Sequence, residues 1–324
     1  MTDLELRASG GGLTPVDLER IGAAVEAARS RGTRRTYNSA WRSWEKWCAE
    51  RKVEPLPADP VMLAAHLAER HGDGVSTSRL TVTVSAIRAR HLDAGLDDPT
   101  AIRGVILTMA GLRRVDAGET APRQAHPLST EQVRRMVDGL DRSTLAGKRD
   151  AAIILLGFAA ALRRSEIAAL RVADLSWKSE GVVVRIRKSK RDQDGAGAHV
   201  GVVRGHGSTD PVAALHDWVN AAGLDRGDPV FVRVRRGGRL DTGRPLTGEA
   251  VNLIVQRAAR RAGLADLPIS AHSLRAGHAT VAAEAGVPVD RLARTGRWAD
   301  HRTLAAYVRP ASSLQDSTSG ALGL

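Results

Sequence analysis

The chain has one cysteine, two tyrosines and two phenylalanines in 324 residues, and six lysines against 42 arginines. A lone Cys48 excludes an intramolecular disulfide and any cysteine-ligated metal cluster, and it fits a reducing, cytoplasmic setting. No apolar run reaches the ~20 residues needed to cross a bilayer. The longest, AAIILLGFAAAL (151–162), suits a buried helix. The first residues lack the basic-then-apolar pattern of a secretory leader. With aromatics at 3%, each tryptophan and tyrosine has to be accounted for.

Positive charge is what the chain has in excess. The net charge is +12, and it is unevenly spread. Residues 1–121 hold 17 Lys and Arg against 16 Asp and Glu, whereas residues 122–324 hold 31 against 20. A GC-rich coding bias accounts for arginine over lysine but not for this asymmetry. A basic half of this size implies a polyanionic partner, and nucleic acid is the usual one.

The length suits two domains, and 43% hydrophobic residues can supply two cores. Residues 1–13 read as a disordered start. From Thr14 to about 114, apolar residues recur at helical spacing in four or five helices. In one of them, TRRTYNSAWRSWEKWCAERK (33–52), Tyr37, Trp41, Trp44 and Trp47 form a stripe expected to be core. Residues 115–128 are polar with Gly and Pro and read as a linker. Ser129 caps the first helix of a second domain, 129–310, mainly helical with a small antiparallel sheet from GVVVRIR (181–187) and HVGVVRG (199–205). A tail follows at 311–324. The expected fold class is mainly α: a helical bundle, then an α+β domain.

Four fragments of the basic half carry side chains suited to chemistry. ALRRSEIAAL (161–170) ends an apolar helix with Arg163 and Glu166 three apart. RKSKRDQDG (187–195) puts Lys190, with Lys188 as fallback, in a polar hairpin loop. AHSLRAG (271–277) sets His272 and Arg275 on one helix face, with Ser270 as the cap. TGRWADHRTLAAYVRP holds Trp298, His301 and Tyr307. Taken singly, each has a bland reading as a salt bridge, a solvated loop charge or a helix surface.

Together and in this order, the fragments resemble the tyrosine site-specific recombinases of the phage integrase family. ALRRSEI resembles the first arginine box, with Arg163 and the acidic Glu166. SKRDQDG is similar to the hairpin carrying the catalytic lysine, Lys190. HSLR matches the His-x-x-Arg box, and GRW with YVR the closing box. The N-terminal part is similar, more loosely, to the family's SAM-like core-binding domain, so the resemblance implies two domains clasping duplex DNA. Most members have histidine where Trp298 stands. Indole donates one hydrogen bond and cannot accept a proton, so Trp298 is a donor or packing residue; His301 is an outside candidate for the missing histidine's role.

The resemblance implies strand cleavage by Tyr307 through a 3′-phosphotyrosyl link, then rejoining, without metal, ATP or redox cofactor. Arg163 and Arg275 would clamp the phosphate and Lys190 would protonate the leaving 5′ oxygen. His272 would take the tyrosine proton or hydrogen-bond the phosphate, and Glu166 would orient its neighbours. Tyr37 is the rival nucleophile. Candidate DNA contacts are Arg257, Arg260 and Arg261, and more weakly Arg34, Arg35, Arg79 and Arg88. The implied partner is a double-stranded target site bound by a tetramer on two sites, with an accessory protein as an option. Two alternatives stay open: relaxation of DNA in the manner of a type IB topoisomerase, and a catalytically silent DNA-binding protein of the same fold.

Overall fold

Helix-capping residues and apolar stripes set most of the elements. The computed structural model describes residues 14–27, 29–119, 125–187, 197–298 and 304. The expected disordered start, the loop with Lys188 and Lys190, His301, Tyr307 and the tail 311–324 lie outside the described residues. The chain divides into two compact units, Met1–Arg123 and Gln124–Leu324.

The first unit consists of α1 (Pro15–Ala27), α2 (Arg31–Arg51), α3 (Pro60–Gly72), α4 (Thr77–Asp93) and α5 (Arg103–Glu119). Ser30 opens α2 by accepting from the Thr33 amide, and Asp59 opens α3 by accepting from Val61 and Met62. The tryptophan stripe of α2 is buried, with Trp44 fully enclosed and stacked on Trp47 at 5.4 Å between ring centres. His66 of α3 meets both rings edge-on at 5.2 and 5.1 Å. Each indole N–H finds an acceptor: Glu45 for Trp41, the Pro55 carbonyl for Trp44 and Glu69 for Trp47. Burial then decides protonation, pushing His66 down to about 4 and the Cys48 thiol up to about 11, so both are neutral in this core. Tyr37, expected in the core, is only half-buried; it sits four residues before Trp41, a turn short of the packed stripe.

Helix α5 continues five residues into the stretch read as a linker, because nothing in VDAGE forbids helix. At the other end of that stretch, Leu128 is fully buried and its amide bonds the Ser273 carbonyl. Polar composition over 115–128 is thus compatible with structure at both ends of the stretch.

The second unit opens with α6 (Thr130–Asp138), held by a reciprocal capping box between Ser129 and Gln132. The apolar α7 (Leu145–Ala159) runs through the centre of its core. A short α8 (Arg164–Ala169) leads to a three-stranded antiparallel sheet, β1 (Leu175–Lys178), β2 (Gly181–Ile186) and β3 (Ala198–Val203). Val182, Val184 and Ile186 alternate inward on β2 against Val200 and Val202. Strand β1, four residues long, was not legible as a strand. Helix α9 (Pro211–Ala221) packs on α7, its Trp218 donating to the Val230 carbonyl. After α9, β4 (Val232–Val234) and β5 (Leu240–Pro245) form a hairpin. Helices α10 (Gly248–Arg261), α11 (Ala271–Glu284) and α12 (Val289–Gly296) complete the described unit.

Candidate active site

The site begins where α7 stops. Ala161 takes a left-handed backbone, φ 49°, which a non-glycine residue adopts only at a cost. The turn separates α7 from α8, so Arg163 and Glu166 do not share the end of an apolar helix as the sequence suggested. Arg163 is instead the N-cap of α8, and Glu166 sits in its first turn. The three-residue spacing therefore serves a cap: Glu166 Oε2 accepts from the Arg163 amide at 2.9 Å, while Oε1 accepts from the Arg163 guanidinium at 2.6 Å.

Helix α11 brings the second arginine. Ser270 caps it by accepting from the His272 amide, as expected from sequence. Its close approach to the rest of the unit needs Gly277, where a Cβ would lie 2.1 Å from the Leu128 carbonyl oxygen. Arg275 is 2% exposed, and its Nη1 donates to the Ala161 carbonyl at 2.6 Å. The strained turn thus presents an acceptor to the buried guanidinium.

The third component follows α12. Trp298 is buried beside Ala161, Ala279, Leu292 and Leu304, and the Arg275 guanidinium lies 3.9 Å from the centre of its ring. This is a cation–π contact in a largely desolvated place. Arg297, just before it, is also left-handed at φ 57°. Its carbonyl accepts from Arg163 Nη2 at 3.1 Å, and its own Nη2 donates to Glu166 Oε2 at 2.7 Å. Nothing local in GRW marks Arg297 as part of this arrangement.

Three guanidiniums and one carboxylate therefore meet at the start of α8. Burial raises the Glu166 carboxyl, but Arg297 and Arg163 outweigh it and hold the group below its ordinary range. His272 keeps solvent access on one side, yet desolvation, then repulsion from Arg275 and Arg163, push its imidazole below the usual value. Arg163, Glu166, His272, Arg275 and Trp298 are thus grouped by hydrogen bonds, ring contact and electrostatic influence. An excess of permanent positive charge beside a neutral imidazole suits an anion undergoing proton-coupled chemistry, such as a phosphodiester.

A second basic feature is separate from these residues. Arg257, Arg260 and Arg261 are exposed on α10 and line a cavity of about 950 Å³ with Arg233, Arg235 and Arg244 of the β4–β5 hairpin. The same cavity is lined by Arg149 and Asp150, a largely buried pair joined at 2.6 Å. Neither Arg163 nor Arg275 lines it. In the first unit, Arg35, Arg79 and Arg88 are exposed and Arg34 half-buried; Arg88 pairs with Asp98 at 3.1 Å.

Comparison with known proteins agrees with this constellation. Residues 127–313 match the Phage integrase family. The chain is 29% identical over 297 residues to an integrase/recombinase XerD homolog of Selenomonas ruminantium, covering 90% of this chain and 86% of the relative. It is 28% identical over 301 residues to recombinase Cre of Escherichia phage P1, covering 88% and 84%. Its fold resembles that of the XerH site-specific recombinase, solved on a palindromic difH substrate after cleavage, with a TM-score of 0.56 and 17% identity over 82% of this chain and 76% of that one. The family match spans more than half the chain and includes every box that the sequence offered, from Arg163 to Tyr307. The chain accordingly belongs to the phage integrase family and is a tyrosine recombinase, an enzyme of site-specific DNA recombination.

Proposed function

We propose that Tyr307 is the nucleophile of this recombinase and that Arg163, Arg275, His272, Trp298, Glu166 and Lys190 divide the remaining work. The observation that carries the reading is the linking of Arg163 and Arg275 through Arg297, whose carbonyl receives Arg163 and whose side chain shares the Ala161 carbonyl with Arg275, with His272 one helical turn before Arg275. Tyr307 attacks a DNA phosphodiester, forms a 3′-phosphotyrosyl link and releases a 5′ hydroxyl. A 5′ hydroxyl then attacks the link, restores the phosphodiester and frees Tyr307. Each exchange conserves the ester bond, so no external energy source enters.

Two physical difficulties set the roles. A phenol of pKa about 10 is only about one part in a thousand ionised at pH 7, a gap of about 4 kcal/mol. The neutral imidazole of His272 accepts its proton as the bond to phosphorus forms. The transition state also gathers charge on the non-bridging oxygens. Arg163 and Arg275 fork onto those oxygens, and preorganised donors of this kind are worth several kcal/mol. Trp298 backs Arg275 with its ring face, and Glu166 fixes the direction of Arg163. Lys190 protonates the departing 5′ oxygen.

The partner in this reading is a double-stranded target site, gripped in part by Arg257, Arg260 and Arg261 around the arginine-lined cavity and by Arg34, Arg35, Arg79 and Arg88 in the first unit. XerH and the lambda integrase dimer were solved on their DNA sites. By that likeness we assign this chain a homo-oligomer on DNA; that it is a tetramer joining two sites, acting in the nucleoid of the cytoplasm, is part of the proposal.

The test uses a nicked suicide duplex whose site is selected by binding from a randomised pool. Parent and Tyr307→Phe proteins are incubated with it in EDTA. A covalent protein–DNA band from the parent alone is the expected result. A band from both would move the nucleophile elsewhere, and none from either, despite tight binding, would overturn the assigned chemistry.

A further inference from the structure

Resting on that active-site reading, we propose that Arg297 is a positioning residue that holds Glu166 and the Arg163 guanidinium in their working geometry, although it need not touch DNA itself. The side chain is 9% exposed and spans three parts of the site. Its Nη1 donates to the Thr295 carbonyl at 2.8 Å, and its Nη2 to both Glu166 Oε2 at 2.7 Å and the Ala161 carbonyl at 3.3 Å. That Ala161 carbonyl is the one that receives Arg275. Meanwhile the Arg297 backbone carbonyl receives Arg163. One residue thus binds the acceptors used by both phosphate-clamping arginines.

The backbone supports a selected role rather than an incidental contact. A left-handed φ of 57° is disfavoured for arginine, and glycine or asparagine would adopt it more easily. Burying a permanent cation is costly as well unless it is well paired. Arg297 meets both penalties at a position where the next residue, Trp298, carries the ring under Arg275. The compensating interaction is with Glu166, whose side chain is 2% exposed and for which Arg297 is the largest influence favouring the charged form. Without that cation the buried carboxylate shares its charge with Arg163 alone. Arg163 is then drawn further onto Glu166, and its fork is less available to a phosphate.

The test compares parent, Arg297→Asn, Arg297→Gly and Arg297→Lys in single-turnover cleavage of the nicked duplex at saturating protein, with DNA affinity and melting temperature measured alongside. Asn and Gly both tolerate the left-handed backbone, so these variants remove the cation without imposing strain. The expected result is a cleavage rate lowered roughly ten- to a hundred-fold in both, with unchanged DNA affinity. Lys is expected to recover much of the rate, because its charge still reaches Glu166. In the Glu166→Gln background the carboxylate is gone, so Arg297→Asn should no longer slow cleavage and should raise the melting temperature by relieving an uncompensated cation. Parental rates in Arg297→Asn and Arg297→Gly would overturn the proposal, as would equal losses whether or not Glu166 is present. Tyr307→Phe runs in parallel: a covalent complex from that variant would overturn the active-site reading itself, a result distinct from parental rates at position 297.

Discussion

Gly296→Ala should damage the active site while leaving the fold intact. A Cβ at Gly296 would lie 1.7, 2.1 and 2.5 Å from three atoms of the Trp298 ring, whereas ordinary contact begins at 3.4 Å. The ring would have to retreat by about 1.7 Å, the difference between the shortest of those distances and ordinary contact. It now lies 3.9 Å from the Arg275 guanidinium, and a retreat away from that arginine would stretch the contact to about 5.6 Å, near the ~6 Å limit of a cation–π interaction. A desolvated cation–π contact is worth about 1–2 kcal/mol, which is about five- to thirty-fold in rate if Arg275 loses its orientation. The helix itself would not object, because Gly296 ends α12 and alanine is favoured over glycine in helices by up to about 1 kcal/mol. Single-turnover formation of the covalent complex reports the site, and thermal unfolding reports the fold. Gly111→Ala is the control, since a Cβ there meets no atom within 4 Å. Gly296→Ala protein that cleaves at the parental rate would refute the argument that the seat of Trp298 governs Arg275.

Two further predictions concern proton transfer and DNA grip. Desolvation, then Arg275 and Arg163, hold His272 below the ordinary value of 6.5, and in the proposed mechanism the neutral imidazole is the proton acceptor. At subsaturating protein, where the second-order rate reports the DNA-free enzyme, cleavage should therefore stay level as pH falls through 6.5 and drop only further down. His272→Gln should abolish that acid limb and lower the plateau by roughly a hundred-fold; a parental midpoint at or above 6.5 would contradict the assignment. Replacing Arg257, Arg260 and Arg261 together by alanine should leave the melting temperature unchanged, since all three are exposed. Their loss should flatten the dependence of log affinity on log salt by about 0.9 for each phosphate contact removed. An unchanged slope in fluorescence anisotropy would remove these residues from the DNA interface.

What the sequence disclosed and what it concealed follow a physical division. The tryptophan stripe of α2 and the cap at Ser270 were legible because each depends on neighbours within a few residues, where helical period and side-chain chemistry suffice. Arg163, Glu166, His272, Arg275 and Trp298 were legible as types at family spacing. Their mutual geometry was not. The break at Ala161 hides in a run of alanines and leucines, where no glycine or proline marks a left-handed residue. Strand β1 is too short to show alternation, and it is fixed by pairing with β2. Arg297 is the strongest case: its partner Glu166 lies 131 residues away, so no local pattern distinguishes it from a surface arginine. A polar composition likewise disguised helix at 115–119 and a buried Leu128 as linker.

The replacement of the family's usual histidine by Trp298 also fits this electrostatic arrangement. Indole cannot exchange a proton, so this position contributes by ring face and shape, and the chemistry of proton transfer narrows to fewer groups. In the proposed mechanism His272 is the acceptor, and after desolvation the cations that bind phosphate are what depress its pKa. A phosphodiester entering between Arg163 and Arg275 brings negative charge into their field and offsets their repulsion of an imidazolium. Its arrival therefore raises the basicity of His272 when the Tyr307 proton has to leave. Before DNA binds, desolvation and the same arginines keep the imidazole unprotonated and ready. Substrate binding and base activation are in this way one electrostatic event, and any variant that weakens the clamp, at Arg163, Glu166 or Arg297, disturbs the base as well.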